Sequence, residues 1–253
     1  MRELLSGTNG NSMVTSPSSW DSTAFQRNVH LLHELTITDY STFEAEAHSA
    51  LRDLASDGVS LLTARISSAR TQDLELLQRV GFHVVETTFS PVFRGKLGAT
   101  KHSDFAVRPS RRDELENIMG VAREAFTVSR FHNDPRIPDE MADLRFENWV
   151  KNAASSDSQE LLSIVNTSNE LVAFFISETS NGEAYWHLTA IATAFRGRGL
   201  AIEVWQSVMR VQSELGVQCF RTTISGANMA VVNLYPRLGF RLENPQTSLH
   251  LHL

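Results

Sequence analysis

Cysteine is almost absent. The 253 residues contain one, Cys219, which excludes an internal disulfide and, inside a run of alternating apolar residues, reads as a small buried hydrophobe. An excess of positive charge is also missing. Lys and Arg number 23 against 29 Asp and Glu, a net charge of −6, so no basic field for nucleic acid or an anionic membrane is expected. An anionic ligand would have to be held by a local arrangement instead. No apolar stretch approaches the ~20 residues of a membrane span. Met1 to Ser19 is polar, rich in Ser, Gly and Asn, and lacks the apolar core of a signal peptide. It reads as a disordered tail, and the chain as a cytoplasmic protein.

What is present is ordinary for a globular protein, with 42% apolar and 21% charged residues. From Trp20 the pattern becomes regular. A helix is predicted from Ser41, where Ser41-x-x-Glu44 has the form of a capping box. Strand, helix and strand follow at Val59–Ile66, Asp73–Val80 and Phe82–Phe93. Arg94–Ser103 (RGKLGATKHS) has no apolar period and reads as a linker. Beyond it the predicted order is β, α, α, β, β, β, α, β, α, β. Ser110 is the expected cap of the first helix, and Asn181-Gly182 a hairpin turn. These elements imply a mixed, mostly antiparallel α/β sheet flanked by helices. The expected divisions are residues 1–19 as tail, 20–93 as a partial N-terminal domain, 94–103 as linker and 104–253 as a second domain.

Two stretches echo each other without a gap, Gly58–Phe82 and Gly216–Phe240. They share Gly58/Gly216, Ile66/Ile224, Leu76/Leu234, Arg79/Arg237, Gly81/Gly239 and Phe82/Phe240, but Leu77 stands opposite Tyr235. The chain therefore carries one fold fragment twice, with a phenol in only one copy.

The stretch AIATAFRGRGLAIEV, Ala190 to Val204, runs from a strand through a glycine turn into a helix. Unsatisfied N–H groups at a helix start, glycines that let a ligand approach and the positive end of the dipole make a pyrophosphate cradle. It is neither a triphosphatase P-loop nor G-x-G-x-x-G, because the lysine and the third glycine are missing. Arg196-x-x-Gly199-x-Ala201 resembles the acyl-CoA signature of the GNAT N-acetyltransferase superfamily. Asn228-x-x-Val231-x-x-Leu234-Tyr235-x-x-Leu238-Gly239-Phe240 resembles its second motif, and together they span roughly Phe105 to Leu253.

The resemblance implies acetyl-CoA as acyl donor. Backbone groups near Ile191 and Ala192 would hold the pantetheine arm, and amides of Arg196, Gly197, Arg198, Gly199, Leu200 and Ala201 the pyrophosphate. Asn228 would touch the cofactor, and Tyr235 would be the acid that protonates the departing thiolate. His187, on the strand entering the loop and taken to share a face with Tyr185, Thr189 and Ile191, is the candidate base; Glu183 is a weaker one. The first copy, with Leu77 for the phenol, Arg70 for Asn228 and no RxxGxA, is not expected to bind CoA.

Trp20-Asp21-Ser22, the segment Ser129–Pro138 (SRFHNDPRIP) and Asn148-Trp149-Val150-x-Asn152 resemble, more loosely, the nucleotide-sugar branch of the superfamily, the TDP-fucosamine (dTDP-4-amino-4,6-dideoxygalactose) acetyltransferases. One departure is the fully formed ATAFRGRG turn, which is shortened in that branch. On this resemblance Arg130 and Arg136 would grip a diphosphate, with His132 as a further donor. Trp20 or Phe131 would stack on a base or sugar, and Asp21 and Asp134 would bond hydroxyls or the amine. The alternatives are a protein N-terminus, polyamine or amino acid as acceptor, or a silent acyl-CoA-binding module. The partners expected are acetyl-CoA and a small amine, with no nucleic acid and no membrane, and SLHLHL could pair across a homodimer. His250 and His252 lie on one face of that last strand with no third ligand of compatible spacing, so a polar outward face and no metal are expected.

Overall fold

The computed structural model describes residues 2–6, 10–95, 97–98 and 103–253. In chain order the elements are β1 (Arg2–Ser6), β2 (Ser12–Pro17), α1 (Ser19–Phe25), β3 (Val29–Thr36), α2 (Tyr40–Ser56), β4 (Leu61–Ser67), α3 (Thr71–Arg79) and β5 (His83–Arg94). Then come β6 (Ala106–Pro109), α4 (Leu115–Ala125), α5 (Asp139–Ala153), β7 (Glu160–Val165), β8 (Leu171–Ser180) and β9 (Glu183–Ile191). The chain finishes with α6 (Ala201–Glu214), β10 (Cys219–Thr222), β11 (Ile224–Ser225), α7 (Met229–Arg237) and β12 (Arg241–His252). From β6 onward this is the predicted order with one short strand, β11, added. Asn181 (φ 52°) and Gly182 (φ 75°) form the left-handed hairpin turn their sequence calls for.

The chain folds into two compact units. The first comprises Met1–Thr88, Ser129–Arg145 and Pro245–Leu253; the second comprises Phe89–Val128 and Phe146–Asn244. Neither respects a linear boundary at residues 94–103. Of the expected linker, Lys96 and residues 99–102 lie outside the described residues, while Ser103 is buried and donates to Glu203 Oε1 (3.1 Å).

In the first unit the strand order is β1-β2-β3-β4-β12, with β3 and β4 parallel. Leu32, Leu62, Leu76, Leu77 and Leu249 pack with Phe43, Leu51 and Leu54 of α2 in its larger core. Part of residues 1–19 belongs to that sheet: β2 pairs with β1 and β3, and Met13 and Thr15 are fully buried. The expected disordered tail is therefore corrected. Its polar residues hide a two-residue alternation (Met13, Thr15) that buries one face of an edge hairpin. Helix α2 begins one residue before Ser41, and Asp39 is its cap, accepting from Ser41 N–H at 2.9 Å.

In the second unit the order is β5-β10-β9-β8-β7-β6, all antiparallel except β9 with β10. One core joins α6 and α7 to the sheet through Trp186, Val204, Trp205, Phe220 and Tyr235. A separate core joins α4 and the later part of α5 through Ile118, Val150, Phe174 and Leu188. A single 3-10 turn, Arg112–Glu114, precedes α4, and Ser110 does not cap it. The Ser110 hydroxyl instead meets Ser163 Oγ at 2.8 Å.

The sequence echo is structural. β4, α3 and β5 match β10 with β11, α7 and β12 residue for residue, with Gly81 (φ 104°) and Gly239 (φ 86°) at the same point after the helix. Both φ values lie where L side chains are strained, which accounts for glycine in each copy.

Candidate active site

The expected cofactor-binding segment connects β9 to α6 in the second unit. β9 and β10 are paired only from Glu183/Cys219 to Trp186/Thr222, after which β11 turns away to pair with β5. The rest of β9, from His187 to Ile191, thus has an open edge on that side. In an antiparallel ladder, alternate residues direct both backbone groups at the partner strand. Ala192 N–H donates to Val172 O of β8 (2.8 Å) and its carbonyl accepts from Phe195 N–H (2.8 Å). Ala192, expected to help hold the pantetheine arm, therefore has both groups spent. Ile191, one residue earlier, is directed at the open edge, where its carbonyl accepts from Arg196 Nε at 2.9 Å.

Arg196 also donates to Glu124 O (3.1 Å), so its side chain ties the turn down. The Arg198 guanidinium lies over the Phe195 ring at 5.2 Å. Gly197 (φ 74°) and Gly199 (φ 75°) take the left-handed conformation, and no atom lies within 4 Å of where a Cβ would stand on either. Among the described residues, no backbone carbonyl accepts from the N–H groups of Gly197, Arg198, Gly199 or Leu200. With the first turn of α6, this is a run of free donors at the positive end of a helix. Asn228 caps α7, accepting from Val231 N–H at 3.4 Å, which leaves its amide nitrogen as a donor.

Tyr235 is 1% exposed, and its hydroxyl accepts from Trp205 Nε1–H at 3.2 Å. Burial pushes the phenol above its usual pKa, opposed by contacts with Trp205, Thr189 and Thr222. The group therefore stays protonated at neutral pH, as a proton donor must.

His187 is placed differently from the alternation in its strand. The β8/β9 register shifts between Ile176/Ser177, opposite Leu188 and Trp186, so His187 is the extra residue of a β-bulge. Trp186 accordingly packs in the α6/α7 core and Leu188 in the α4/α5 core. The shared face expected for Tyr185, His187, Thr189 and Ile191 is broken at this point. His187 sits against Tyr185 (ring centroids 4.8 Å) and Trp149 (5.9 Å), and its Nε2 lies 3.0 Å from Glu178 Oε2. Thr189 instead touches Tyr235, and Ile191 packs on the α6/α7 core. Glu183 is paired with Arg221 at 2.9 Å. Cys219 is half-buried, not buried as expected, because it opens β10 next to that ion pair.

The residues expected to bind the acceptor all lie in the first unit. Trp20, on α1, is 46% exposed, and Arg136 is exposed. The others are committed to the fold. Asp21 is buried between Arg145 (2.5 Å) and Arg130 (3.6 Å). Burial works to raise its pKa, but the two guanidiniums outweigh it and hold the carboxyl below its ordinary value. Burial pushes Arg130 down to about 9. Phe131 is 1% exposed, packed on Phe25 with Arg130 and Arg145 over its ring, and offers no face to a base. His132 is held at both nitrogens by Ser129 Oγ (2.8 Å) and Asp143 (3.0 Å).

Asp134 is fully buried, and the reason corrects a second expectation. His250 and His252 do not form an outward face: both converge on Asp134 Oδ2, from Nδ1 at 2.7 Å and Nε2 at 2.8 Å. His83 Nε2 stands 3.3 Å from the same oxygen. Spacing along β12 could not reveal partners that come from β5 and from the segment after α4.

The first unit's counterpart of the cofactor turn is filled by the chain itself. Asn11, 1% exposed, accepts from Thr38 N–H (2.9 Å) and Asp39 N–H (3.0 Å) where the backbone enters α2. Its amide donates to Asp39 O and Glu46 Oε2. β3 and β4 part after Leu32/Ala64, and into that gap Arg70 sends Nη2 to Leu35 O (2.8 Å). Leu77, opposite Tyr235 in the echo, is fully buried in the core. No signal in the sequence singled out Asn11.

The second unit thus combines an open-edged strand, a glycine turn with free amides at a helix start and a buried phenol. Residues 117–240 match the acetyltransferase (GNAT) family, and the chain carries a GNAT acetyltransferase domain, whose acyl donor is acetyl-CoA. Over 151 residues the chain is 26% identical to the spore coat polysaccharide biosynthesis protein SpsD of Bacillus subtilis, covering 58% of this chain and 50% of that protein. The chain thus spans about half the length of that relative. It is 24% identical over 188 residues to dTDP-fucosamine acetyltransferase of Escherichia coli, covering 73% of this chain and 79% of that one. A GCN5-related N-acetyltransferase from Sphaerobacter thermophilus shares the fold, with a TM-score of 0.65 at 13% identity over 96% of this chain and 76% of that one. No helix among the described residues is long and apolar enough to cross a membrane.

Proposed function

We propose that the protein is an acetyl-CoA-dependent N-acetyltransferase that acetylates the amine of a nucleotide-linked amino sugar by direct attack in a ternary complex. The acceptor class rests chiefly on one observation, the similarity over most of the chain to dTDP-fucosamine acetyltransferase. Trp20 and Arg136, both exposed in the first unit, offer a stacking face and a bidentate phosphate donor.

In this reading the free amides from Gly197 to Leu200 hold the CoA pyrophosphate and the Ile191 edge receives the pantetheine amides. His187, oriented by Glu178, takes a proton from the attacking ammonium. The neutral amine adds to the thioester carbonyl, the tetrahedral intermediate collapses with loss of the C–S bond, and Tyr235 gives its proton to the thiolate. The second proton of the amine nitrogen passes through solvent to restore the phenol. A phenol whose pKa exceeds its usual value matches a basic leaving thiolate.

The test is thiol release from acetyl-CoA with dTDP- and UDP-linked 3- and 4-amino-deoxyhexoses, polyamines and short peptides. One nucleotide sugar is expected to turn over, with kcat falling about 100-fold or more in Tyr235→Phe. Turnover of peptides or polyamines alone would overturn the acceptor assignment.

A further inference from the structure

Four side chains outside the acetyl-transfer machinery meet in the first unit. His83 opens β5, Asp134 lies in the segment between α4 and α5, and His250 and His252 close β12. One ligand atom from each lies within 4.8 Å of all the others. We propose that His83, Asp134, His250 and His252 bind one divalent transition-metal ion, Zn2+ being the best match to three imidazoles and a carboxylate.

The fold does not demand these residues. In the other copy of the same strand, Val92 and Arg94 stand where β12 has His250 and His252, and Arg241 stands where β5 has His83. The cluster is thus an addition to one half of a repeated scaffold. Hydrogen bonds to Asp134 hold His250 and His252, but not His83. His83 Nε2 is buried without a hydrogen-bond partner, and it approaches the carboxylate at 3.3 Å without hydrogen-bond geometry. Buried polar groups of this kind are costly unless something satisfies them.

The ligand atoms, up to 4.8 Å apart, would hold an ion after drawing in by as much as about 1.4 Å. Ligands about 2.0–2.2 Å from a tetrahedral Zn2+ lie roughly 3.4 Å from each other. The two imidazoles at 2.7 and 2.8 Å from Asp134 Oδ2 would each retreat by about 0.6 Å, and His83 is already near its place. The Asp134 carboxylate is already oriented as a ligand. Its Oδ1 accepts from Arg136 N–H at 3.1 Å, which leaves Oδ2 aimed at the imidazoles. His83, with 30% of its side chain exposed, and His252, with 14%, leave a route in. Four protein ligands make a closed, structural type of site. It would clamp the segment carrying Arg136 to β5 and β12.

The proposal is tested on the tag-free, full-length chain, stripped with a chelator, dialysed and titrated with Zn2+ and separately with Co2+. We expect one equivalent of each per chain, a rise of several degrees in Tm, and the strong visible absorption of four-coordinate Co2+. His252→Gln should weaken uptake at least 100-fold, while His33→Gln should leave it unchanged. Should His252→Gln fail to fold, His83→Gln at the partly exposed start of β5 reads the same ligand loss. A folded, stripped chain that takes up neither metal stoichiometrically overturns the proposal, and so does unaltered uptake in a folded His83→Gln or His252→Gln variant.

Discussion

Tyr235 and Leu77 occupy one position of a repeated helix, and both are buried, so hydrophobic burial alone does not distinguish them. The difference is the hydroxyl, which has Trp205 Nε1 as a partner. Removing it costs about 1 kcal/mol of stability, small beside the 100-fold loss of kcat expected of the same substitution. A second buried side chain reports on folding instead. Glu114 accepts from both terminal nitrogens of Arg108 (2.8 and 2.6 Å), from Arg111 N–H (2.8 Å) and from Ser163 (3.0 Å). These bonds, the Arg108 pair foremost, lower its pKa from 4.5 to about 2. A carboxylate whose folded pKa is depressed stabilises the fold fully above the unfolded value, and that contribution is lost as pH falls through the folded one. Denaturant titrations should therefore show Glu114→Gln less stable by about 2 kcal/mol at pH 7. The gap should close between pH 4.5 and 2. A gap that stayed constant over this window would mean that the ion pair is not its source.

At the scale of elements, the turn between β9 and α6 is a backbone device. Because nothing lies within 4 Å of a Cβ added at Gly199, alanine there meets only the cost of φ 75°, about 1 kcal/mol. Steady-state kinetics of Gly199→Ala should show KM for acetyl-CoA raised three- to tenfold with kcat little changed. An unchanged KM would separate the turn from the cofactor. This turn was legible because RGRG between a strand and a helix carries its own signal, as were α7 and the Asn181-Gly182 hairpin. The bulge at His187 was not: an extra residue leaves the alternation of buried and exposed side chains along β9 intact while exchanging the faces. The β1–β2 hairpin was hidden for a related reason. Its inward residues include Asn11 and Thr15, and the burial of Asn11 depends on partners far along the chain. Asp134 and the three histidines share that property, since no spacing within one strand anticipates ligands contributed by three segments.

Over the whole molecule, two copies of one scaffold have diverged in opposite directions. The second keeps free amides, an open strand edge and a phenol. The first has closed each of these with its own side chains: Asn11 at the helix entry, Arg70 at the strand gap and Leu77 in the core. Sequence comparison between the halves put Arg70 and Leu77 where the second has Asn228 and Tyr235. It gave no sign that Arg70 fills the strand gap or that Asn11 takes part. The central claim is that acetyl-CoA binds only the second half, and calorimetric titration of the full-length chain with acetyl-CoA tests it most directly. The expected result is one site per chain, weakened in Gly199→Ala and kept at wild-type affinity in Asn11→Ala. Two sites per chain, or a single site lost with Asn11→Ala and indifferent to Gly199→Ala, would contradict it.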